Sequence, residues 1–302
     1  MSGRFWIFGL VLVSAMIGLA VYEPKLDEDR VQGLRVVVTG CTSGIGLEIA
    51  RLYARLGAKI ILVARNEDKL RRTQQVCQDL GAQYVDYVQA DLSSSDETVY
   101  SDIIKSSVKK LGGLDSLVLN HISTVDQYHQ KGWHKVQDMS IVRRLFEVNA
   151  FSHMALVHAA LDPLSASKGK IIFVSSVTGV RGLPNVAPYS STKHAMHGFL
   201  ESLRIDLAIA KLPVDITMCI IGNIDTESNR KAVEGTSLAK AQRASPQECA
   251  YAIVRGGETR ARDVFFPFGV VYPFHLLSSI VPRAADSLLV YLYQNEELMQ
   301  YI

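Results

Sequence analysis

The sequence is poor in cysteine and has no clustered charge. Its 302 residues include only four cysteines, which are Cys41, Cys77, Cys219 and Cys249. They show neither Cys-x-x-Cys nor Cys/His spacing, which argues against a zinc site and a disulfide scaffold, so we interpret them as small buried side chains and predict no metal site. The formal net charge is +2 without a run of like charges, which gives no electrostatic basis for binding nucleic acid.

Internal repeats, low-complexity tracts and a proline- or glycine-rich linker are also absent from the sequence. With 48% hydrophobic residues, a chain of this length can bury the core of one large α/β domain. We therefore predict an N-terminal segment over residues 1–30, followed by one domain over residues 31–302 that ends in an apolar extension.

Charge is missing from Phe5 to Tyr22, a stretch near the lower length limit for a membrane-spanning helix. Arg4 precedes it and acidic residues follow it, so the positive-inside rule predicts a single-pass anchor with the rest of the chain facing a lumen. Two other interpretations stay open. Gly18-Leu19-Ala20 has the small-x-small pattern of a signal-peptide cleavage site, which would give a secreted protein, and the stretch could instead be a helix buried in the fold.

Short β-branched runs alternate with helical patterns from residue 32 onward. The runs are Arg35–Val38, Lys59–Val63, Tyr84–Val88, Ser116–Leu119, Lys170–Val174 and Asp215–Ile220. Strands that alternate with helices predict a doubly wound parallel sheet with helices on both faces. Continuous apolar runs such as "KIIFV" are typical of strands that are buried on both sides.

The first predicted strand runs into the loop "TGCTSGIG", Thr39 to Gly46, and then into a helix. Its glycines are typical of a dinucleotide-binding loop. We expect Gly40 to permit a tight turn, Gly44 to let the backbone approach a pyrophosphate, and Gly46 to let the helix and strand pack closely. The amide groups and dipole at the helix start would then stabilise the phosphate charge.

The end of the second predicted strand favours NADP over NAD. An NAD site places a carboxylate there for the ribose 2′-hydroxyl. Here the sequence is "LVARN", in which Arg65 suits a 2′-phosphate, and the first carboxylates, Glu67 and Asp68, come past that contact point.

Four side chains have the spacing that carbonyl reduction requires. Tyr189 and Lys193, in "YSSTK", lie four residues apart and so share one helix face. Ser176, in "VSSVTG", lies at the carboxyl end of the predicted strand Lys170–Val174, and substrates of open parallel sheets bind at the carboxyl ends of the strands. A phenol titrates near 10, and a nearby ammonium brings that pKa toward neutrality. We predict that Tyr189 exchanges the proton, that Ser176 donates to the carbonyl oxygen, and that Asn149 holds a water in a relay through Lys193.

Together these motifs resemble the short-chain dehydrogenase/reductase family over residues 30–260. The resemblance is carried by "TGCTSGIG", "ADL", "LNHI", "EVN", "VSS…YSSTK" and "IGNIDTE". It implies a Rossmann-type sheet of about seven strands and a tetrad of Tyr189, Lys193, Ser176 and Asn149. It also implies further cofactor contacts at Thr42, Ser43, Ile45, Asn66, Asp91, Leu92, Asn120, His121, Gly222, Ile224 and Thr226. Asp91 would contact the adenine, while Ile224 and Thr226 would meet the nicotinamide end.

Within that family the sequence is most similar to the 11β-hydroxysteroid dehydrogenase type 1 group. The apolar N-terminus, "LVLNHIS", "GNIDTES" and "SPQECAYAIVRGG" carry this resemblance. It implies an NADP(H)-linked homodimer anchored in the endoplasmic reticulum membrane with a luminal catalytic domain. Two departures matter: Ser43 replaces a phosphate-binding lysine, and Leu183 replaces a tyrosine of the steroid pocket. They put glucocorticoid specificity in doubt and leave the reaction type unchanged.

The leading hypothesis is a membrane-anchored NADP(H)-dependent oxidoreductase that interconverts a secondary alcohol and a ketone on a lipophilic substrate, with 11-ketosteroids as the first candidates. One alternative keeps the chemistry and changes the substrate to a retinoid, prostanoid, sphingoid or xenobiotic carbonyl. A remote alternative is a cofactor-binding scaffold without turnover. Residues 264–293 are apolar but broken by Pro267, Pro273 and Pro282, so a second spanning helix is not expected there. The stretch could cap a hydrophobic substrate pocket, contact the membrane, form a dimer contact or simply contribute to ordinary core packing.

Overall fold

The computed structural model describes residues 24–94, 96–123, 133, 138–235, 237–295 and 297–298. The apolar helix predicted from Phe5 to Tyr22 lies outside these residues, so the anchor and the division at residue 30 stay predictions. Among the described residues, no helix combines the length and the apolar character needed to cross a membrane.

Seven parallel strands form one sheet in the order β3-β2-β1-β4-β5-β6-β7. The strands are β1 (Arg35–Thr39), β2 (Lys59–Ala64), β3 (Tyr84–Gln89), β4 (Ser116–Leu119), β5 (Lys170–Val174), β6 (Asp215–Ile221) and β7 (Asp263–Phe266). The six strands predicted from the residue pattern are confirmed to within one residue at their ends. The seventh was implied only by the family resemblance, because its four residues merge into the apolar C-terminal stretch.

Helices cover both faces of this sheet. Their bounds are α1 (Gly44–Arg55), α2 (Glu67–Asp79), α3 (Thr98–Leu111), α4 (Ser140–Phe146), α5 (Ser152–Ser167), α6 (Ala187–Ile209), α7 (Glu227–Val233), α8 (Pro246–Glu258), α9 (Phe268–Ile280) and α10 (Pro282–Gln294). Along β1, Val36 and Val38 belong to one buried cluster and Val37 to the other, one on each face of the sheet. The predicted doubly wound architecture is therefore confirmed over the described residues.

A buried ion pair lies near the amino ends of the strands, away from the carboxyl ends where the predicted site residues lie. Lys170, the first residue of β5, pairs with Glu258 at the end of α8, and both side chains are only 6% exposed. Tyr53 donates its hydroxyl to the same carboxylate at 2.7 Å, and Ser116 does so at 3.3 Å. This carboxylate therefore connects α1 and α8 to the amino ends of β4 and β5.

Replacing Lys170 by methionine is expected to lower the free energy of unfolding by about 3–5 kcal/mol, because it leaves the Glu258 carboxylate buried without a cation. Denaturant unfolding checks this. Adding Glu258→Gln should recover part of the loss, since the amide still accepts from Tyr53. Arg30→Met is the control: its ion pair with Asp27 is exposed, so the change should stay within about 1 kcal/mol. An equal loss of unfolding free energy in Lys170→Met and in Arg30→Met would contradict the role of burial.

The last two described helices, α9 and α10, pack against each other, and α9 also packs against β7. Val271 of α9 is buried, and a side-chain carbon on Gly222 would lie 3.0 Å from its methyl group. The pair also presents large apolar side chains to the surface, among them Ile280, Val290 and Tyr291. An ion pair between Asp286 of α10 and Arg181 ties it to the loop after β5.

Candidate active site

The predicted site residues gather at the carboxyl ends of four adjacent strands. The glycine loop follows β1, Asn120 follows β4, Ser176 lies two residues beyond β5, and Gly222 follows β6 directly. Because these strands are parallel and neighbouring, their ends open into one crevice. The fold therefore brings together residues that lie far apart in the sequence.

The glycine loop has the backbone that its sequence predicts. Gly40 and Gly44 have φ angles of +63° and +54°, a region that favours glycine. Gly46 is closely packed. A side-chain carbon there would lie 2.3 Å from both Asn120 Nδ2 and the Gly40 carbonyl oxygen, so Gly46 packs against the two residues that directly follow β4 and β1.

The start of α1 fits a bound pyrophosphate. Within the described part of the chain, no side chain caps this helix at Ser43, which leaves its first amide groups available to an anion. Thr42 and Ile45 are half-buried beside these amides. A side-chain carbon on Gly44 would lie 3.2 Å from Thr226 Cγ2, so the loop after β6 lies against the glycine loop. That loop also contains Ile224, which is buried and bridges Ala244.

The residues expected at the adenosine end also lie together. Arg65 is exposed directly after β2, and Asn66 caps α2 by accepting from the Lys69 amide at 2.8 Å. The pKa of Asp91 is lowered, although burial opposes this shift, because Ser93 donates two hydrogen bonds to it and the Arg65 charge is close by. Leu92, the next residue, is buried under this end.

Asn120 and His121 brace the glycine loop from β4. The Asn120 side chain donates to the Gly40 carbonyl at 3.1 Å, and its backbone amide donates to Thr39 Oγ1 at 3.0 Å. His121 is buried, with Nδ1 2.9 Å from Thr39 Oγ1 and Nε2 2.7 Å from Ser152 Oγ. Its ring thus links β1 to α5, and its predicted contact with a cofactor stays a prediction.

The imidazole of His121 is neutral. Burial, together with the nearby Lys193 charge, lowers its pKa to about 3. Ser152 Oγ already donates to the Val148 carbonyl at 2.7 Å, so it accepts from His121 Nε2. His153 Nε2 lies 3.0 Å from the His121 carbonyl and 3.2 Å from His121 Nδ1, and donates there. His153 Nδ1, a buried acceptor in this arrangement, finds no partner among the described residues.

Asn149 lies in a π-helical segment, Glu147–Phe151, between α4 and α5. Its buried amide group accepts from the Ser123 backbone N–H at 2.7 Å and donates to the Ser123 carbonyl at 3.3 Å. Such widened turns recur at functional sites, because they redirect one side chain without ending the helix.

Ser176 and Tyr189 meet across the gap between β5 and α6. Both residues are half-buried, and the Ser176 side chain lies near enough to the Tyr189 hydroxyl to affect its pKa. Burial raises the pKa of Tyr189 to about 12, and the Ser176 side chain opposes this rise only in part. The phenol therefore carries its proton at neutral pH. Leu183, in the loop between them in sequence, is also half-buried.

Lys193 is almost fully buried, at 1% exposed, and its ammonium group donates to the Val174 carbonyl at 3.0 Å. Burial lowers its pKa to about 7. Its Nζ atom lies 5.8 Å from the centre of the Tyr189 ring. The predicted lowering of the Tyr189 pKa by Lys193 is not seen in this arrangement: burial raises this pKa, and it is Ser176 that opposes the rise.

The sequence reasoning missed the buried polar side chains behind this site. Ser175 Oγ lies 2.6 Å from His197 Nε2, and the His153 ring contacts His121 and Phe173 edge-on. The one available signal was the placement of His197 four residues after Lys193, on the same face of α6.

Metal-binding chemistry finds no support in the described residues, where no group of histidine, cysteine and acidic side chains is arranged to hold an ion. The interpretation of the four cysteines is confirmed: all are free and buried. Burial raises the pKa of each thiol, so none is a reactive thiolate.

Comparisons with known proteins agree with this geometry. The family described as "short chain dehydrogenase" matches residues 35–237. A "Hydroxysteroid 11-beta-dehydrogenase 1-like protein" of Gallus gallus is 40% identical over 281 residues, covering 91% of this chain and 94% of the relative. A protein of the same description from Danio rerio is 37% identical, covering 85% and 87%.

A solved structure shares the fold. It is an alcohol dehydrogenase from the archaeon Thermococcus sibiricus, described as complexed with 5-hydroxy-NADP. It superimposes with a TM-score of 0.65 at 23% identity, covering 78% of this chain and 96% of that chain. At this identity the likeness supports the architecture alone.

Proposed function

Because the chain belongs to the short-chain dehydrogenase family, and so to a family of NAD(P)-linked oxidoreductases, we propose that it uses NADP(H) to interconvert a secondary alcohol and a ketone on a lipophilic molecule. One observation carries the proposal. Tyr189, Ser176 and Lys193 lie together at the carboxyl end of β5, in the crevice that the glycine loop borders.

The proton chemistry of ketone reduction follows from these side chains. When bound, the nicotinamide supplies a hydride to the carbonyl carbon. The carbonyl oxygen gains negative charge, which the Ser176 hydroxyl stabilises by donating a hydrogen bond. The Tyr189 hydroxyl then transfers its proton to this oxygen, since a pKa of about 12 keeps the phenol protonated beforehand. Oxidation of the alcohol reverses each step.

Lys193 and Asn149 replace the proton that Tyr189 gives up. A lysine whose pKa is about 7 can both hold and release a proton at physiological pH. Its ammonium group stabilises the phenolate that remains after transfer, at 5.8 Å from the ring centre. Asn149, held rigidly by Ser123, is suited to orient a water toward Lys193, as its place in the tetrad implies.

Arg65 supports NADP as the cofactor, because its exposed guanidinium follows β2 where a 2′-phosphate would lie. Replacing Arg65 by alanine is expected to weaken NADPH binding by about 10–100-fold, the value of a charge-assisted hydrogen bond, and to leave NADH binding unchanged. Fluorescence titration with both cofactors checks this. Arg72→Ala, an exposed arginine farther along α2, is the control. An equal loss for both cofactors would contradict a 2′-phosphate contact.

The proposals for the compartment and the assembly rest on the apolar N-terminal stretch and on the family resemblance of the sequence. We propose a single-pass anchor at residues 5–22 in the endoplasmic reticulum membrane with a luminal catalytic domain; the alternative is secretion after cleavage. We also propose a homodimer. Exposed apolar side chains on and beside α5 and α6, namely Phe151, Ile205 and Ile209, support a contact between two copies.

The substrate class rests on the relatives' names and on the apolar C-terminus. The ion pair between Arg181 and Asp286 holds α10 against the loop that carries Leu183, which supports α9 and α10 as a cap over a lipophilic substrate. Full-length protein in detergent, assayed with NADPH against 11-ketosteroids and against retinoid, prostanoid, sphingoid and xenobiotic carbonyls, tests this. Turnover of 11-ketosteroids would support the steroid assignment; turnover of the others alone would replace it.

A further inference from the structure

A hydrogen bond between two buried side chains lies directly behind Ser176. Ser175 and His197 are 2% and 8% exposed, and Ser175 Oγ lies 2.6 Å from His197 Nε2. We infer that His197 is a positioning residue for the reaction, which sets the direction of the Ser176 hydroxyl through Ser175. The inference rests on the proposed function, because it assigns a role in the same carbonyl chemistry.

The contact controls the turn that carries Ser176. The Ser175 backbone N–H donates to the Cys219 carbonyl at 2.8 Å, which fixes the chain to β6, while its side chain is held by α6. Ser176 comes next and caps a short 3₁₀ turn, Val177–Gly179, by accepting from the Thr178 backbone N–H at 3.2 Å. Rotation of the Ser175 side chain would therefore be transmitted to Ser176, the residue that caps this turn.

The turn also closes tightly on the histidine. A side-chain carbon at Gly179 would lie 2.8 Å from both His197 Nε2 and Ser175 Oγ. The Gly179 backbone N–H donates to the Ser176 carbonyl at 2.8 Å, which completes the turn. The two ends of the turn thus meet at the same hydrogen bond, and a change at His197 reaches the Ser176 backbone from both sides.

The position of His197 on α6 explains why this bond matters for chemistry. His197 lies four residues after Lys193 and eight after Tyr189, two spacings that keep all three on one side of the helix. The bond from His197 to Ser175 therefore fixes the helix that carries the proton donor relative to the strand end that carries Ser176. The hydroxyl groups of Ser176 and Tyr189 must both reach the same substrate oxygen. Displacement of either group by about 1 Å can lower the rate about 100-fold.

The hydrogen bond between His197 and Ser175 does not change with pH in the physiological range, because His197 stays uncharged there. Burial, with the nearby Lys193 charge as the next cause, lowers the pKa of His197 to about 4, so its ring is neutral. A neutral imidazole has one donor and one acceptor nitrogen, and glutamine can supply both functions from its amide group. His197→Gln is therefore the conservative variant, whereas His197→Phe keeps a ring and removes the hydrogen bond.

The test compares steady-state kinetics of these variants in the full-length protein, with NADPH and the best carbonyl of the panel. We expect His197→Phe to lower kcat about 10–100-fold, with the KM for NADPH within about twofold and NADPH binding retained. His197→Gln should recover most of the loss. Ser175→Ala should lower kcat by a similar factor and add little to His197→Phe, because both remove the same contact.

Control variants and opposite outcomes separate this role from a general loss of stability. His194→Phe changes an exposed histidine of α6 whose hydrogen bond goes to its own helix, at the Ser190 carbonyl, and should leave kcat unchanged. If His197→Phe proves unstable, Ser175→Ala provides the same test with a smaller change. Unaltered kcat in Ser175→Ala, additive losses, or parallel loss of NADPH binding would overturn the inference. Absence of turnover in the unmodified protein would instead count against the proposed function.

Discussion

Replacing Tyr189 by phenylalanine is expected to lower kcat/KM for carbonyl reduction by about 10³-fold, within the range for loss of a general acid. The phenol holds its proton at neutral pH because burial raises its pKa to about 12, and the nearby Ser176 side chain opposes this rise only in part. Phenylalanine keeps the ring that packs near the Lys193 ammonium. NADPH should therefore still bind, within about threefold of the original Kd.

The measurement is cofactor absorbance under turnover, alongside NADPH titration of the same preparation. Tyr251→Phe is the matched control, because Tyr251 is an exposed tyrosine of α8 to which the proposed reaction assigns no step. Turnover retained in Tyr189→Phe would contradict its role as the proton donor. Full NADPH binding in a protein that shows no turnover before mutation would favour the scaffold hypothesis.

Replacing Gly46 by alanine is expected to weaken NADPH binding by at least about 10–100-fold, equivalent to the 1–3 kcal/mol of an overpacked contact. The added carbon would lie 2.3 Å from Asn120 Nδ2 and from the Gly40 carbonyl oxygen, closer than such atoms can approach. Neither can retreat alone, because Asn120 donates to that carbonyl. The glycine loop must therefore shift, and its amide groups move away from the phosphates.

Gly198→Ala provides the control for this prediction. Gly198 is an exposed residue of α6 with nothing within 4 Å of an added carbon. Alanine should raise the free energy of unfolding by about 0.5–1 kcal/mol, because glycine is unfavourable inside a helix, and should leave NADPH affinity unchanged. An unchanged Kd in Gly46→Ala would show that the loop does not hold the cofactor in the proposed way.

Most of the sheet could be predicted because five of its seven strands are buried almost throughout. Runs such as Lys170–Val174 are short, rich in apolar side chains and buried throughout. They show neither the alternation of a half-exposed strand nor the three- to four-residue spacing of an amphipathic helix, which is typical of a buried strand. Strand β7 was different: Asp263–Phe266 is short and continues into the apolar residues of α9, so no polar boundary marks its end. Its position at the sheet edge, beside β6, is a tertiary property.

The site was predictable where spacing along one element determines proximity. Tyr189 and Lys193 face the same way because they lie one helical turn apart, and Ser176 reaches them because β5 and α6 are consecutive. Electrostatics and partners were not predictable, since they depend on burial. Lys193 donates to the Val174 carbonyl and lies 5.8 Å from the Tyr189 ring centre, so the structure gives a neutral phenol where the sequence predicted a charge-tuned one.

Transfer of deuterium from labelled NADPH tests the central claim most directly. Full-length protein in detergent would be incubated with NADPH that carries deuterium at both C4 positions of the nicotinamide and with the carbonyl panel, and the alcohols analysed by mass spectrometry. We expect an alcohol with one deuterium on the former carbonyl carbon, formed at similar rates by the unmodified protein and by Tyr251→Phe and about 10³-fold more slowly by Tyr189→Phe. Unlabelled alcohol, or equal label with Tyr189→Phe, would contradict hydride transfer completed by the Tyr189 proton.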